Sequence, residues 1–299
     1  MPSLRSRLFT FLLRHRKKRP PWDFNTSIPE FRKDCEKACK LLGKLPADIK
    51  VSPVTADGIY AEWLIPEGGT GDKVILYTIG GGYVSGSCND HRAIVSRIAR
   101  WSGTSVILFD HRLAPEHPFP AALEDSITAY KWLLNQGVSP SHIIIAGESA
   151  GGGLCLATLL GLKEHNIPLP AAAVAMSPWT DLKLTGESRR TKAKVCLAPE
   201  GMAEVCSKYY AGDNDPSLPL ISPLYGDLHG LPPLLIQVGG DETMLDDSTR
   251  FAEKAKRAGV DVTLTIGEGM MHCFPLLPPF IPEARKAMEE MCNFIKIHI

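Results

Sequence analysis

The stretch Ile143-Ile144-Ile145-Ala146-Gly147-Glu148-Ser149-Ala150-Gly151-Gly152-Gly153-Leu154-Cys155-Leu156 decides how the rest of the chain is read. Its first four residues are apolar and mostly β-branched, the composition of a buried strand. Leu154 to Leu162 then continues as helical sequence. Between strand and helix lies a G-x-S-x-G pattern, which folds as a sharp turn that lifts the serine out at the helix N-terminus. Side chains at 147 and 151 would collide in so tight a turn, which accounts for glycine at both. The helix dipole at that end favours developing negative charge, so Ser149 is a candidate nucleophile.

Outward from this turn the chain alternates. Val74 to Ile79, Ser105 to Phe109, Ala171 to Met176, Leu234 to Val238 and Val262 to Ile266 read as strands. Helices are expected over His91 to Trp101, along the face marked by Leu123, Ile127, Tyr130 and Leu134, over Phe251 to Ala258, and from Pro282 onward. Such alternation predicts an α/β fold with a mostly parallel sheet covered on both faces. Val54 to Ile65, broken by Asp57-Gly58, predicts an antiparallel hairpin at one edge. Residues 28–43 read as a helix, and 181–230 as irregular chain with a helix near 200–210.

A serine nucleophile needs a base and a carboxylate to orient it, following here in the chain order serine, acid, histidine. Asp241 lies just past the strand Leu234 to Val238, and His272 follows the strand Val262 to Ile266. Strand C-terminal ends are where open parallel sheets build sites, so these two are the expected partners. Asp246 and Asp247 read as caps of the next helix. His111, His117, His142 and His229 lack the order or the strand-end position. The run Ile79-Gly80-Gly81-Gly82-Tyr83 also follows a strand. Three glycines let backbone N–H groups approach an oxyanion, and the expected donors are Gly81, Gly82 and Ala150.

With these motifs in hand, the chain resembles the hormone-sensitive-lipase-like carboxylesterases, also called bacterial esterase family IV. The resemblance extends to Asp110–Ala122, Ser177–Leu182 and Gly239–Ser248 and covers nearly the whole chain. It implies one α/β-hydrolase domain over 1–299, with a helical cap from about 1–47 and 181–212. It implies hydrolysis of short-chain acyl esters without a cofactor, with Ser149 as nucleophile, His272 as base and Asp241 as its partner. It also makes a homodimer plausible. Ile79 stands where the family carries the first residue of its HGGG motif, a histidine that braces the glycine loop; isoleucine therefore predicts a less firmly held loop. Two other readings stay open: a ligand-binding protein on the same fold, and a related thioesterase, amidase or lactonase.

Composition narrows the partners. Hydrophobic residues make up 44% and charged residues 22% of 299, enough for a buried core and against disorder. Lys plus Arg equals Asp plus Glu at 33, so nucleic acid is not an expected partner. The balance is uneven, however: residues 1–22 hold seven basic residues and no acid. The expected role of this head is a cap helix, with an anchor drawn weakly to anionic lipid as the alternative. The eight cysteines form no C-x-x-C pair, so no metal site is expected, and with no secretory signal they read as reduced thiols in a cytoplasmic protein.

Overall fold

Apolar strands stack side by side as the alternation requires. The computed structural model describes residues 2–15, 20–41, 44–69 and 71–299. The expected helix end at 42–43 and the basic residues 16–19 lie outside them. Strands β1 (Ile49–Ala56), β2 (Ile59–Pro66), β3 (Val74–Thr78), β4 (Ser105–Phe109), β5 (Ile143–Glu148), β6 (Ala172–Met176), β7 (Leu234–Gly239) and β8 (Val262–Gly267) form one sheet ordered β1-β2-β4-β3-β5-β6-β7-β8. From β4 to β8 every pairing is parallel, while β1–β2 and β2–β4 are antiparallel. Asp57 and Gly58 both take positive φ (47° and 92°), the twist a two-residue hairpin needs. β1 starts at Ile49, earlier than its apolar pattern suggested, and Pro53 is tolerated because β1 is an edge strand.

Strands β3 to β7 are buried on both faces, and side-chain alternation divides them between two cores. Leu76, Ile107, Ile145 and Ile236 face helices α4 (Ala121–Asn135), α5 (Ala150–Glu164) and α8 (Leu245–Arg257). Ile75, Leu108, Ile144 and Leu235 face α3 (Cys88–Ser102) and α9 (Pro282–His298). α3 starts three residues before its expected His91. The reason is a reciprocal cap: Ser87 takes the Asp90 N–H and Asp90 takes the Ser87 N–H.

Asp246 and Asp247 do not cap α8, contrary to expectation. The Asp246 carboxylate accepts the Ser188 N–H (2.8 Å), and the buried Asp247 carboxylate accepts those of Thr180 (3.1 Å) and Asp181 (3.0 Å). Both therefore hold the segment after β6 against the sheet. Burial pushes Asp247 up to about 6.

Two chain segments distant in sequence meet above the strand C-termini. α1 (Leu4–His15) and α2 (Ile28–Leu41) come from the N-terminus; α6 (Ser188–Thr191) and α7 (Met202–Ala211) follow β6. The Trp22 N–H donates to the Glu200 carbonyl at 2.7 Å, and the Tyr209 hydroxyl to that of Phe24 at 3.2 Å. Tyr83, just past the glycine run, stacks on Tyr210 of α7 at 3.6 Å.

The strand-to-helix turn depends on two missing side chains. A Cβ on Gly147 would lie 2.2 Å from Thr78 Oγ1 and 2.5 Å from the Gly151 carbonyl, and one on Gly151 would lie 2.2 Å from the Thr78 carbonyl. The steric limit on this turn therefore comes from β3 as well as from within the turn. Gly147→Ala is expected to cost about 2–4 kcal/mol, because backbone must move to admit the methyl. Urea denaturation of the two proteins measures it as a lowered midpoint at unchanged slope.

Candidate active site

Ser149 sits between β5 and α5 with φ 57° and ψ −124°, a conformation strained for any residue with a Cβ. The turn holds it there: its N–H donates to the Met176 carbonyl (2.8 Å), and its carbonyl accepts from Gly153 (3.0 Å) and Trp179 (3.0 Å). The side chain consequently points away from the sheet. Its Oγ lies 2.9 Å from His272 Nε2.

The other ring nitrogen, Nδ1, lies 2.5 Å from Glu242 Oε2. Glu242 is fully buried, and its second oxygen accepts from the Ser177 hydroxyl (2.7 Å) and the Gly239 N–H (2.5 Å). Ser177 also accepts the Cys273 N–H at 2.9 Å, so one hydroxyl ties the ends of β6 and β7 to the loop that carries His272. Asp241, the acid expected from the sequence, is not on the imidazole. Its carboxylate faces the other way, 2.9 Å from Arg14 Nη2 and 3.4 Å from Lys192 Nζ. These two basic groups take Asp241. The sequence signal for Glu242 was its adjacency to Asp241, which did not separate the two.

Burial opposes charging His272, but the Cys273 sulfur and the Glu242 carboxylate together raise its pKa well above that of free imidazole. Burial also pushes the Cys273 thiol up, so that sulfur is neutral at neutral pH and the carboxylate supplies the lift there. Among the rival histidines, His229 pairs with Asp227, and His111 sits against the carbonyls of Arg112 (3.1 Å) and Ile79 (3.3 Å).

Gly81 and Gly82 follow β3 with φ 124° and 67°, and Ala150 opens α5. Among the described residues, nothing accepts the N–H of Gly81, Gly82 or Ala150. The loop has polar anchors that do not involve the Ile79 side chain. The Gly80 N–H donates to Glu148 Oε1 at 2.7 Å, and the Gly81 carbonyl accepts from Val84, Ser85 and the Ser85 hydroxyl. Ile79 is buried in the apolar layer beneath the sheet and packs against Gly86, where a Cβ would come within 2.6 Å of it.

The polar brace comes instead from His91 of α3. Its Nε2 lies 2.9 Å from Glu148 Oε1 and its Nδ1 lies 2.5 Å from Asp90 Oδ1. Burial works against the charged ring, but Glu148 and Asp90 push its pKa from 6.5 up to about 10, so it is an imidazolium at neutral pH. No group of three or more potential ligands that could hold a metal occurs among the described residues. No helix there is long and apolar enough to cross a membrane.

The chain is similar to known proteins. A family model described as the α/β hydrolase fold matches residues 75–276. An acetyl-hydrolase of Streptomyces hygroscopicus is 41% identical over 257 residues, 85% of this chain and 84% of that one. An esterase of Acinetobacter venetianus is 36% identical over 278 residues, 92% of this chain and 91% of its own. The solved structure of an esterase from the bacterial hormone-sensitive lipase family superposes with a TM-score of 0.93 at 40% identity, covering 100% of this chain and 99% of that one. The chain thus belongs to the α/β-hydrolase fold family, and within it to the hormone-sensitive-lipase-like carboxylic ester hydrolases.

Because the pKa of His91 is higher folded than unfolded, its contribution to stability is complete below about pH 6.5 and is lost as pH rises towards about 10. Thermal melts between pH 7 and 10 are expected to show a falling Tm for the wild type. In His91→Gln the fall should be shallower, because glutamine keeps a donor and has no proton to lose.

Proposed function

We propose that the protein hydrolyses short-chain acyl esters with Ser149 as nucleophile, His272 as general base and acid, and Glu242 as the carboxylate that orients the imidazole. The observation that carries this reading is the unbroken line Ser149 Oγ, His272 Nε2, His272 Nδ1, Glu242 Oε2, at 2.9 Å and 2.5 Å. The same line argues against a purely ligand-binding role. With Glu242 accepting the Nδ1 proton, Nε2 is left with a lone pair for the serine hydroxyl.

Ser149 Oγ attacks the ester carbonyl carbon and its proton passes to His272 Nε2. The carbonyl π pair moves to oxygen, where the N–H groups of Gly81, Gly82 and Ala150 are the proposed donors; their lack of acceptors supports this role. The C–O bond to the alcohol breaks as the intermediate collapses, and His272 returns its proton to the leaving oxygen. Water then attacks the acyl-serine with His272 again as base, releasing the acid and restoring the hydroxyl. No step calls for a cofactor.

Short acyl chains are inferred from relatives: one is named an acetyl-hydrolase, and EstE5, 42% identical with a TM-score of 0.93, was soaked with p-nitrophenyl butyrate. We read the N-terminal segment to about residue 47 and residues 181–212 as a cap on the single catalytic domain. The Trp22–Glu200 and Tyr209–Phe24 bonds support that reading. A cytoplasmic home draws support from the seven described cysteines, all free thiols. A homodimer draws support from the open edge at β8, where Ile266 is exposed.

Ser149→Ala is expected to lower kcat on p-nitrophenyl butyrate by about 10⁵–10⁶-fold with Tm unchanged. For the wild type, kcat/KM should fall from the butyrate to the octanoate; a maximum at octanoate or beyond would remove the short-chain part of the proposal.

The acid assignment has its own test. Glu242→Gln should cut kcat by about 10³–10⁴-fold, whereas Asp241→Asn, which breaks only part-exposed ion pairs, should change it by less than about threefold. The base works only when neutral, so kcat/KM should rise with pH around a midpoint above 6.5, the ordinary imidazole value. Removing the carboxylate charge favours neutral imidazole, so any residual activity of Glu242→Gln should rise at lower pH than in the wild type.

A further inference from the structure

α1 is mounted with its polar side inward. Ser6 and Thr10 are buried, and the hydroxyls of Ser3 and Ser6 donate to the Glu283 carboxylate at the start of α9. A surface helix in water normally turns its apolar stripe towards the core. Here Leu4, Leu8 and Leu12 point outward and are 80%, 61% and 57% exposed. At about 100° per residue the three fall within an arc of about 80°, a continuous stripe rather than scattered leucines. Exposed Phe280 stands against Phe9 of the same helix at 5.9 Å and widens the apolar surface.

The charges flanking the stripe are all of one sign. Arg5 and Arg7 are exposed on either side of it, and the sequence has no acid before Asp23. From residue 23 onward the chain carries 26 basic against 33 acidic residues, so the N-terminal 22 residues that include this helix are a basic stretch on an acidic body. An exposed apolar stripe between arginines matches the boundary of an anionic lipid leaflet, where leucines enter the acyl region and arginines meet phosphate. A second protein copy would bring its own Arg5 and Arg7 towards these, so lipid suits the charge better.

We infer that α1 seats the protein on an anionic lipid surface through Leu4, Leu8 and Leu12, flanked by Arg5 and Arg7. The orientation this imposes is defined at the other end of the helix. Arg14 bonds Asp241 and the Val195 carbonyl, and Asp241 adjoins the Glu242 that holds His272. The end of α1 nearest the site is therefore fixed beside it, so lipid contact along the helix would set how Ser149 and His272 lie relative to the lipid plane.

The test uses the full chain and sedimentation with vesicles of phosphatidylcholine alone or with 30% phosphatidylglycerol. The wild type should bind the anionic vesicles at least about tenfold more strongly, and high salt should weaken that binding. Leu4→Asp/Leu8→Asp should abolish vesicle binding, and Arg5→Glu/Arg7→Glu should reduce it to the level on phosphatidylcholine. Both variants should keep the wild-type Tm and rate on soluble p-nitrophenyl butyrate, since these side chains are exposed and lie outside the proposed catalytic line. Absence of wild-type binding, or binding indifferent to both variants, would overturn the inference. So would a solution dimer that Leu4→Asp/Leu8→Asp dissociates, because a second copy would then cover the stripe.

Discussion

The approach of α5 to the end of β3 is the constraint on which the site depends. Gly147 and Gly151 bring the helix so close that a methyl group on either would overlap Thr78. That closeness carries Ser149 into its strained conformation and sets the first turn of α5 beside the glycine run that continues β3. It also puts Glu148 under that run, where one oxygen takes the Gly80 N–H. The placement of Ser149, of the glycine run and of Glu148 beneath it thus follows from a single contact between backbones. The strain at Ser149 is balanced by the hydrogen bonds its own backbone makes to Met176, Gly153 and Trp179.

Most of the fold was legible because its signals are local. Ile143–Ile145 and Val74–Leu76 are apolar on both faces, which suits only a covered parallel strand, and Asp57-Gly58 specifies its own turn. That Ser149 and His272 would meet was legible for the same reason, each sitting at a strand end. What was not legible depended on partners far along the chain. Asp241 and Glu242 are neighbours of the same charge, and which one faces the imidazole is settled by Arg14 and Lys192, 227 and 49 residues away. Asp246 and Asp247 likewise looked like local caps, yet their carboxylates serve N–H groups near residues 180 and 188.

At Ile79 the contacts of the loop come from residues that the motif does not include. The missing histidine suggested a loosely held loop. The loop is held through Gly80, Gly81 and the Ile79 carbonyl, and the imidazole that secures it enters from α3 at His91. Isoleucine fits because position 79 continues the alternation of β3 and so faces the same apolar layer as Ile75. The brace belongs to the tertiary structure and not to the motif.

The pairing of His91 with Glu148 also bears on the field at the neighbouring serine. A lone buried carboxylate one residue from Ser149 would repel negative charge gathering on a substrate oxygen, and inside a protein that repulsion would be weakly screened. With a cationic ring 2.9 Å from it, the carboxylate is felt at the substrate as one end of a short dipole. The potential of a dipole falls with the square of distance, where that of a single charge falls with the first power. The glycine loop thus keeps its carboxylate anchor while most of that anchor's charge is hidden from the chemistry beside it.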